Sequence, residues 1–129
     1  MNAALDDAER LLRRACADLK ALRHMGDPDS FDDNIYGFHA QQAVEKSLKA
    51  WLACLGYDYP LRHDLGELLA ALAAAGQDIA TLWPLTDLTP FAVQLRYDEF
   101  ENCPPLDRSS IEADVGALVA RVEGFVEKT

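Results

Sequence analysis

Apolar residues recur at alternating spacings of three and four between Ala4 and about His24, at Leu5, Ala8, Leu12, Ala15, Leu19 and Leu22. That spacing is the seam of a bundle helix. Met25-Gly26-Asp27-Pro28-Asp29 ends it, Gly26 supplying a C-terminal cap and Pro28 blocking continuation. Ser30-Phe31-Asp32-Asp33 predicts the start of a second helix over about 31–55, with the Ser30 oxygen taking an orphan amide and the aspartates favouring the positive helix end. Along this helix Tyr36, Ala40, Ala43, Val44, Leu48, Trp51 and Leu55 share one side. His39, Gln42, Glu45, Lys46 and Lys49 fall within an opposite arc of roughly 120°. One face is built to pack and the other carries chemistry. Ile35 and Phe38 project near the polar arc, so they need cover, either from the C-terminal helices of the same chain or from a second interface.

Gly56 ends the second helix, and residues 57–62 form a connector without a strand pattern. Asp64-Leu65-Gly66-Glu67 reads as a capping box opening a third helix, whose Leu65, Leu68, Leu69, Leu72 and Ala75 make one apolar face up to Gly76. Between Asp78 and Arg96 the residues Ile79, Leu82, Leu85, Leu88, Phe91, Ala92 and Leu95 keep helical spacing. Pro84 and Pro90 interrupt it, which predicts a broken or two-part helix. Residues 96–105 read as an acidic, proline-bounded loop. The last helix starts near Asp107 or Ser109, with Ser109-Ser110-Ile111-Glu112 offering a capping box. Its repeat is Ile111, Val115, Leu118, Val122 and Phe125, reinforced by Val119 and Val126. With no strand candidate and mostly short connections, the expected fold is all-α, an antiparallel up-and-down helical bundle of about five helices.

A length of 129 residues, half of them hydrophobic, suits one domain over 1–129 with a single core. Against 22 acidic residues the chain has 12 basic ones, a formal charge of −10 that disfavours nonspecific binding to nucleic acid or anionic membranes. Lys46, Lys49, Arg62 and Arg96 concentrate basic charge around the polar arc, so a local basic pocket is compatible with the total. Cys16, Cys54 and Cys103 form no C-x-x-C pair and suit no closed disulfide set, which points to a reducing compartment and inert thiols. No apolar run is long enough to span a bilayer and no signal sequence is evident, so the expected location is cytoplasmic.

The sequence contains no H-E-x-x-H, Walker loop, G-x-G-x-x-G or nucleophile elbow, and no His/Cys cluster at metal spacing. No cofactor or metal is expected. The candidate ligand-binding residues are therefore polar ones: His39, Gln42, Glu45, Lys46 and Lys49 on helix two, the Arg62-His63 corner, and Arg96-Tyr97. Lys46 and Lys49 suit phosphate, Gln42 and His39 a base or ribose, and Glu45 the orientation of a lysine. The competing reading is a solvated face in which Glu45 and Lys49 form a local i,i+4 pair. Arg62 and His63 flank amides that bind an anion, whereas Asp64 as cap would already fill that position. Arg96 and Tyr97 suit a phosphate and a stacked base, or a structural pairing with Asp98, Glu99 or Glu101. The rings of Trp51 and Trp83 read as core.

The run Ala40-Gln-Gln-Ala-Val-Glu-Lys-Ser-Leu-Lys-Ala-Trp-Leu52, followed by His63-Asp64-Leu65 and by Ala92-Val-Gln-Leu-Arg-Tyr-Asp98, resembles the HEPN family. It is most similar to the stand-alone prokaryotic members often encoded beside a minimal nucleotidyltransferase. The resemblance covers about Leu5 to Phe125 and implies a five-helix bundle, usually a homodimer, associated with nucleotide or nucleic-acid processes. It implies, as the leading expectation, a non-catalytic nucleotide- or substrate-binding partner of a small nucleotidyltransferase in a toxin-antitoxin-like pair. Ribonucleases of this family carry Arg followed four to six residues later by His. Here the histidines stand at positions 24, 39 and 63, and none follows an arginine at that spacing. A divergent ribonuclease using His39 or His63 with Arg62 or Arg96, and a plain homodimerisation module built on Ile35 and Phe38, are the alternatives.

Overall fold

A computed structural model describes residues 3–92 and 105–128, which form four α-helices and one 3-10 segment, with no strand among them. The chain is a helical bundle. α1 spans Ala3–Arg23, α2 Asp33–Cys54, α3 Leu65–Ala74 and α4 Arg108–Glu127, with the 3-10 segment Trp83–Ala92 between α3 and α4. α2 is the hub: it packs most extensively on α1 and also against α4, the 3-10 segment and α3. Leu11, Ala15, Leu19 and Leu22 of α1, Val44, Leu48 and Trp51 of α2, and Val115, Leu118 and Val122 of α4 meet in one core.

The ends of α2 and α3 follow the sequence chemistry. Gly56 and Gly76 adopt φ of +83° and +82°, and the amides of Tyr57 and Gln77 reach back to the Leu52 and Leu72 carbonyls at 3.0 Å. These are Schellman closures, which need a residue tolerant of the left-handed region. Asp64 caps α3 through the Gly66 amide at 2.9 Å, and Asp107 caps α4 through the Ser110 amide at 3.1 Å.

Other expectations need correction. Gly26 is not in the left-handed region, so α1 ends without a glycine cap and its last amides bond in a 3-10 pattern, His24 to Ala21 and Met25 to Leu22. Ser30 does not cap α2, because its hydroxyl donates to Asp27 at 2.9 Å within the preceding turn, and the cap position belongs to Asp32. Glu67 pairs with Arg62 at 3.1 Å instead of completing the α3 box. Trp51 is buried, but Trp83 is 45% exposed because it opens the 3-10 segment at the surface, and Leu55 is 39% exposed beyond the end of α2. The proline-broken stretch winds as a 3-10 helix with Pro90 inside it. The amide a proline lacks matters less in a segment held by side chains. Leu85, Leu88 and Phe91 supply that hold, and Phe91 lies so close over Gly37 of α2 that a Cβ there would overlap its ring.

One buried cation, unmarked by any motif, locks the α1–α2 turn to the start of α4. Arg108 donates to the Met25 carbonyl at 2.7 Å, to the Phe31 carbonyl at 2.6 Å and to Asp33 at 2.8 Å, with its guanidinium 4.8 Å from the centre of the Tyr36 ring. Tyr36 returns a hydrogen bond to the Arg108 carbonyl at 2.9 Å. Burial pushes the Tyr36 phenol up to about 12.

Candidate functional site

The polar arc of α2 is not a solvated face. As the bundle's central helix, α2 has neighbours on nearly every side, so Gln41, Glu45 and Lys49 are buried with the apolar residues, Glu45 only 4% and Lys49 8% exposed. A charge so placed needs partners, since desolvation otherwise drives it to neutrality. Two carboxylates provide them. Glu45 accepts from Gln41 Nε2 at 2.9 Å, from His63 Nδ1 at 2.7 Å and from Lys49 Nζ at 3.2 Å. Asp18, projecting from α1, lies 3.0 Å from His39 Nδ1 and 3.2 Å from Lys46 Nζ.

Burial is the largest influence on Glu45 and would raise its pKa. The hydrogen bonds from Gln41 and His63 and the charge of Lys49 together outweigh it, so the carboxyl sits below its ordinary range. An ionised carboxylate can only accept, which fixes the proton of His63 on Nδ1 and turns Nε2 outward. The His63 side chain is 58% exposed, so that nitrogen is open to solvent. Gln41 Nε2 also donates to the His63 carbonyl at 3.3 Å, and Gln42 Nε2 donates to Gln41 Oε1 at 2.7 Å, which ties the α2–α3 corner to the middle of α2.

A third cluster adjoins the first. The Lys49 ammonium lies 5.5 Å from the centre of the Tyr59 ring, and the Tyr59 hydroxyl donates to Asp7 at 2.7 Å. Asp7 also holds Arg10. The Tyr59 bond is the main reason that the Asp7 carboxyl is held below its usual value, while burial leads the upward shift of Tyr59.

The structure thus gathers His39, Gln42, Glu45, Lys46, Lys49 and His63 along α2 in two hydrogen-bonded clusters, His39 and Lys46 on Asp18 and Gln42, Lys49 and His63 around Glu45 and Gln41, with the exposed Arg62 paired to Glu67 beside them. Arg96 and Tyr97 lie outside the described residues, as do Leu95 and Cys103. Ile35 is half-buried and packs on the core, while Phe38 is half-buried with its ring edge-on to His39 at 5.5 Å. Sequence reasoning missed Asp18 and Gln41. Asp18 borders the apolar arc of α1 near Leu11 and Leu22, and an acid in that place was the available sign; Gln41 precedes Glu45 by one helical turn. Among the described residues no group of three or more His, Cys, Asp or Glu side chains could hold a metal ion. No described helix is long and apolar enough to cross a membrane.

Compared with known proteins, the chain matches the family model described as HEPN domain over residues 8–129. No curated protein and no solved structure gives a match.

Proposed function

The chain belongs to the HEPN domain family, and on that footing we propose that it is a non-catalytic, cytoplasmic member that binds a nucleotide or nucleotide-bearing substrate as the partner of a small nucleotidyltransferase. The observation that supports this reading is the two clusters held by Asp18 and Glu45, which present oriented donors while every cation in them is already matched by a carboxylate. With Lys46 and Lys49 offset in this way, recognition rests on hydrogen bonds from Gln42 and His39 to a base or ribose. Phosphate falls to the exposed Arg62 and, with Tyr97 stacking on the base, Arg96, rather than to the paired Lys46 and Lys49. RNA cleavage needs a base and a group that stabilises the phosphorane. The family's Arg-to-His spacing, which supplies both, is missing from the sequence. Calorimetry of the intact protein with ATP, GTP and the nucleotidyltransferase encoded beside it should give heat with at least one of them. Silence with all of them would refute the reading.

A divergent ribonuclease is the second reading, and the geometry of His63 favours it: a buried carboxylate fixes the ring through Nδ1 and leaves Nε2 open, the posture of a general base. It requires RNA degradation that His63→Ala or His39→Ala abolishes. Wild-type protein inert towards RNA over a broad pH range removes it.

Self-association as a homodimer belongs to the same proposal. A dimerisation module built on Ile35 and Phe38 predicts that Ile35→Asp separates the subunits. Much of the surface at Ile35 is already covered by the core of its own chain.

A further inference from the structure

Between α1 and α4 runs an open groove of about 520 Å³ whose floor is apolar, formed by Leu12, Cys16, Ala17 and Val126. Its two walls carry opposite charge: Arg13 and Lys20 on the α1 side, Glu123 and Glu127 on the α4 side. The Cys16 thiol contacts Glu123 at 3.6 Å and Arg23 approaches Glu112 at 4.0 Å, so the two helices run antiparallel. Arg13 therefore stands level with the Glu127 end of the groove. Among the described residues no ion pair joins its two walls, and none is formed by Arg13, Lys20 or Glu127.

We propose that this groove is the surface on which a second copy of the chain docks. A two-fold axis along the groove carries the α1 wall of each copy over the α4 wall of the other. Arg13 and Lys20 then meet the partner's Glu127 and the partner's Glu123 twice over, and the two apolar floors close on each other. The charge arrangement selects this occupant. A uniformly basic or acidic surface is repelled by one wall, and a nucleic acid meets Glu123 and Glu127, whereas a second copy presents the reversed order by symmetry. The inference rests on the self-association included above and names its surface.

Its test is charge exchange followed by sedimentation velocity and circular dichroism. Arg13, Lys20 and Glu127 are exposed and Glu123 is half-buried, with the Cys16 thiol as its one contact across the groove, so Arg13→Glu with Lys20→Glu, and Glu123→Lys with Glu127→Lys, are expected to retain the helical spectrum. Each double variant alone should associate at least about tenfold more weakly than wild type, because like charges now face each other. Mixing the two should restore a dimer, since in the mixed pair every facing charge is opposite. Wild-type protein sedimenting as a monomer would overturn both the surface and the self-association. A wild-type dimer unaffected by either pair of reversals, or a mixture that fails to recover, would overturn the surface alone. In that case dissociation by Ile35→Asp would move the interface to α2.

Discussion

Replacing Glu45 with glutamine keeps the shape of the side chain and removes the charge on which the candidate site is organised. In the wild type one carboxylate oxygen takes the Gln41 and His63 donors, and the other takes Lys49. An amide has one accepting oxygen, so Glu45→Gln turns an NH2 against one set of donors whichever way it flips. It also leaves Lys49, 8% exposed, without its counter-charge. Breaking a buried pair from one side costs about 3–5 kcal/mol. The Lys49 ammonium retains contact with the Tyr59 ring, so about 2–4 kcal/mol is expected. With a urea slope of about 2 kcal/mol/M, the unfolding midpoint falls by about 1–2 M. The pH dependence supplies an independent sign. Because the folded carboxyl of Glu45 is depressed, its stabilisation is fully present above the ordinary glutamate value of 4.5 and is lost as pH falls through the folded value. Glu45→Gln should therefore flatten the acid limb of stability below that point, leaving the contributions of Asp7 and Asp27, which are depressed in the same direction. A midpoint change of less than about 0.3 M, or an acid limb as steep as in wild type, would refute the claim that Glu45 is a buried, ionised hub.

Arg108→Met strands the Met25 and Phe31 carbonyls and Asp33, so thermal unfolding should show a loss of about 2–4 kcal/mol. Gly37→Ala improves helix propensity yet should destabilise by about 1–3 kcal/mol in urea titrations, because the added methyl meets the Phe91 ring. Gly56→Ala, at φ +83° with open space around it, should lose about 1–2 kcal/mol from backbone strain alone. Ultraviolet titration should find Tyr36 ionising near 12. The stabilisation from keeping that phenol protonated is full below pH 10 and fades as pH rises through 12.

Much of the bundle is legible in the sequence because helix periodicity and end chemistry are local. The apolar spacing of α1 and α4, the cap at Asp64, and the closures at Gly56 and Gly76 each depend on residues within one or two turns. Of the two starts offered for α4, by contrast, the structure takes Asp107 and leaves Ser109 and its Glu112 box inside the helix. Local reasoning fails where a residue has two possible partners: Ser30 prefers the Asp27 carboxylate to a helix amide, and Glu67 prefers Arg62 to its own box. The sequence by itself also determines which side of α2 is polar, and the absence of the Arg-to-His spacing. It does not determine that this polar side is covered, with Glu45 and Lys49 buried and His39, Gln42 and Lys46 half-buried. That follows from α2 lying at the centre of the bundle, where α1 brings Asp18 to His39 and Lys46, and the α2–α3 corner brings His63 to Glu45. Periodicity locates a residue on its own helix, whereas desolvation and charge pairing depend on what the other helices place opposite it, and only the tertiary structure decides that.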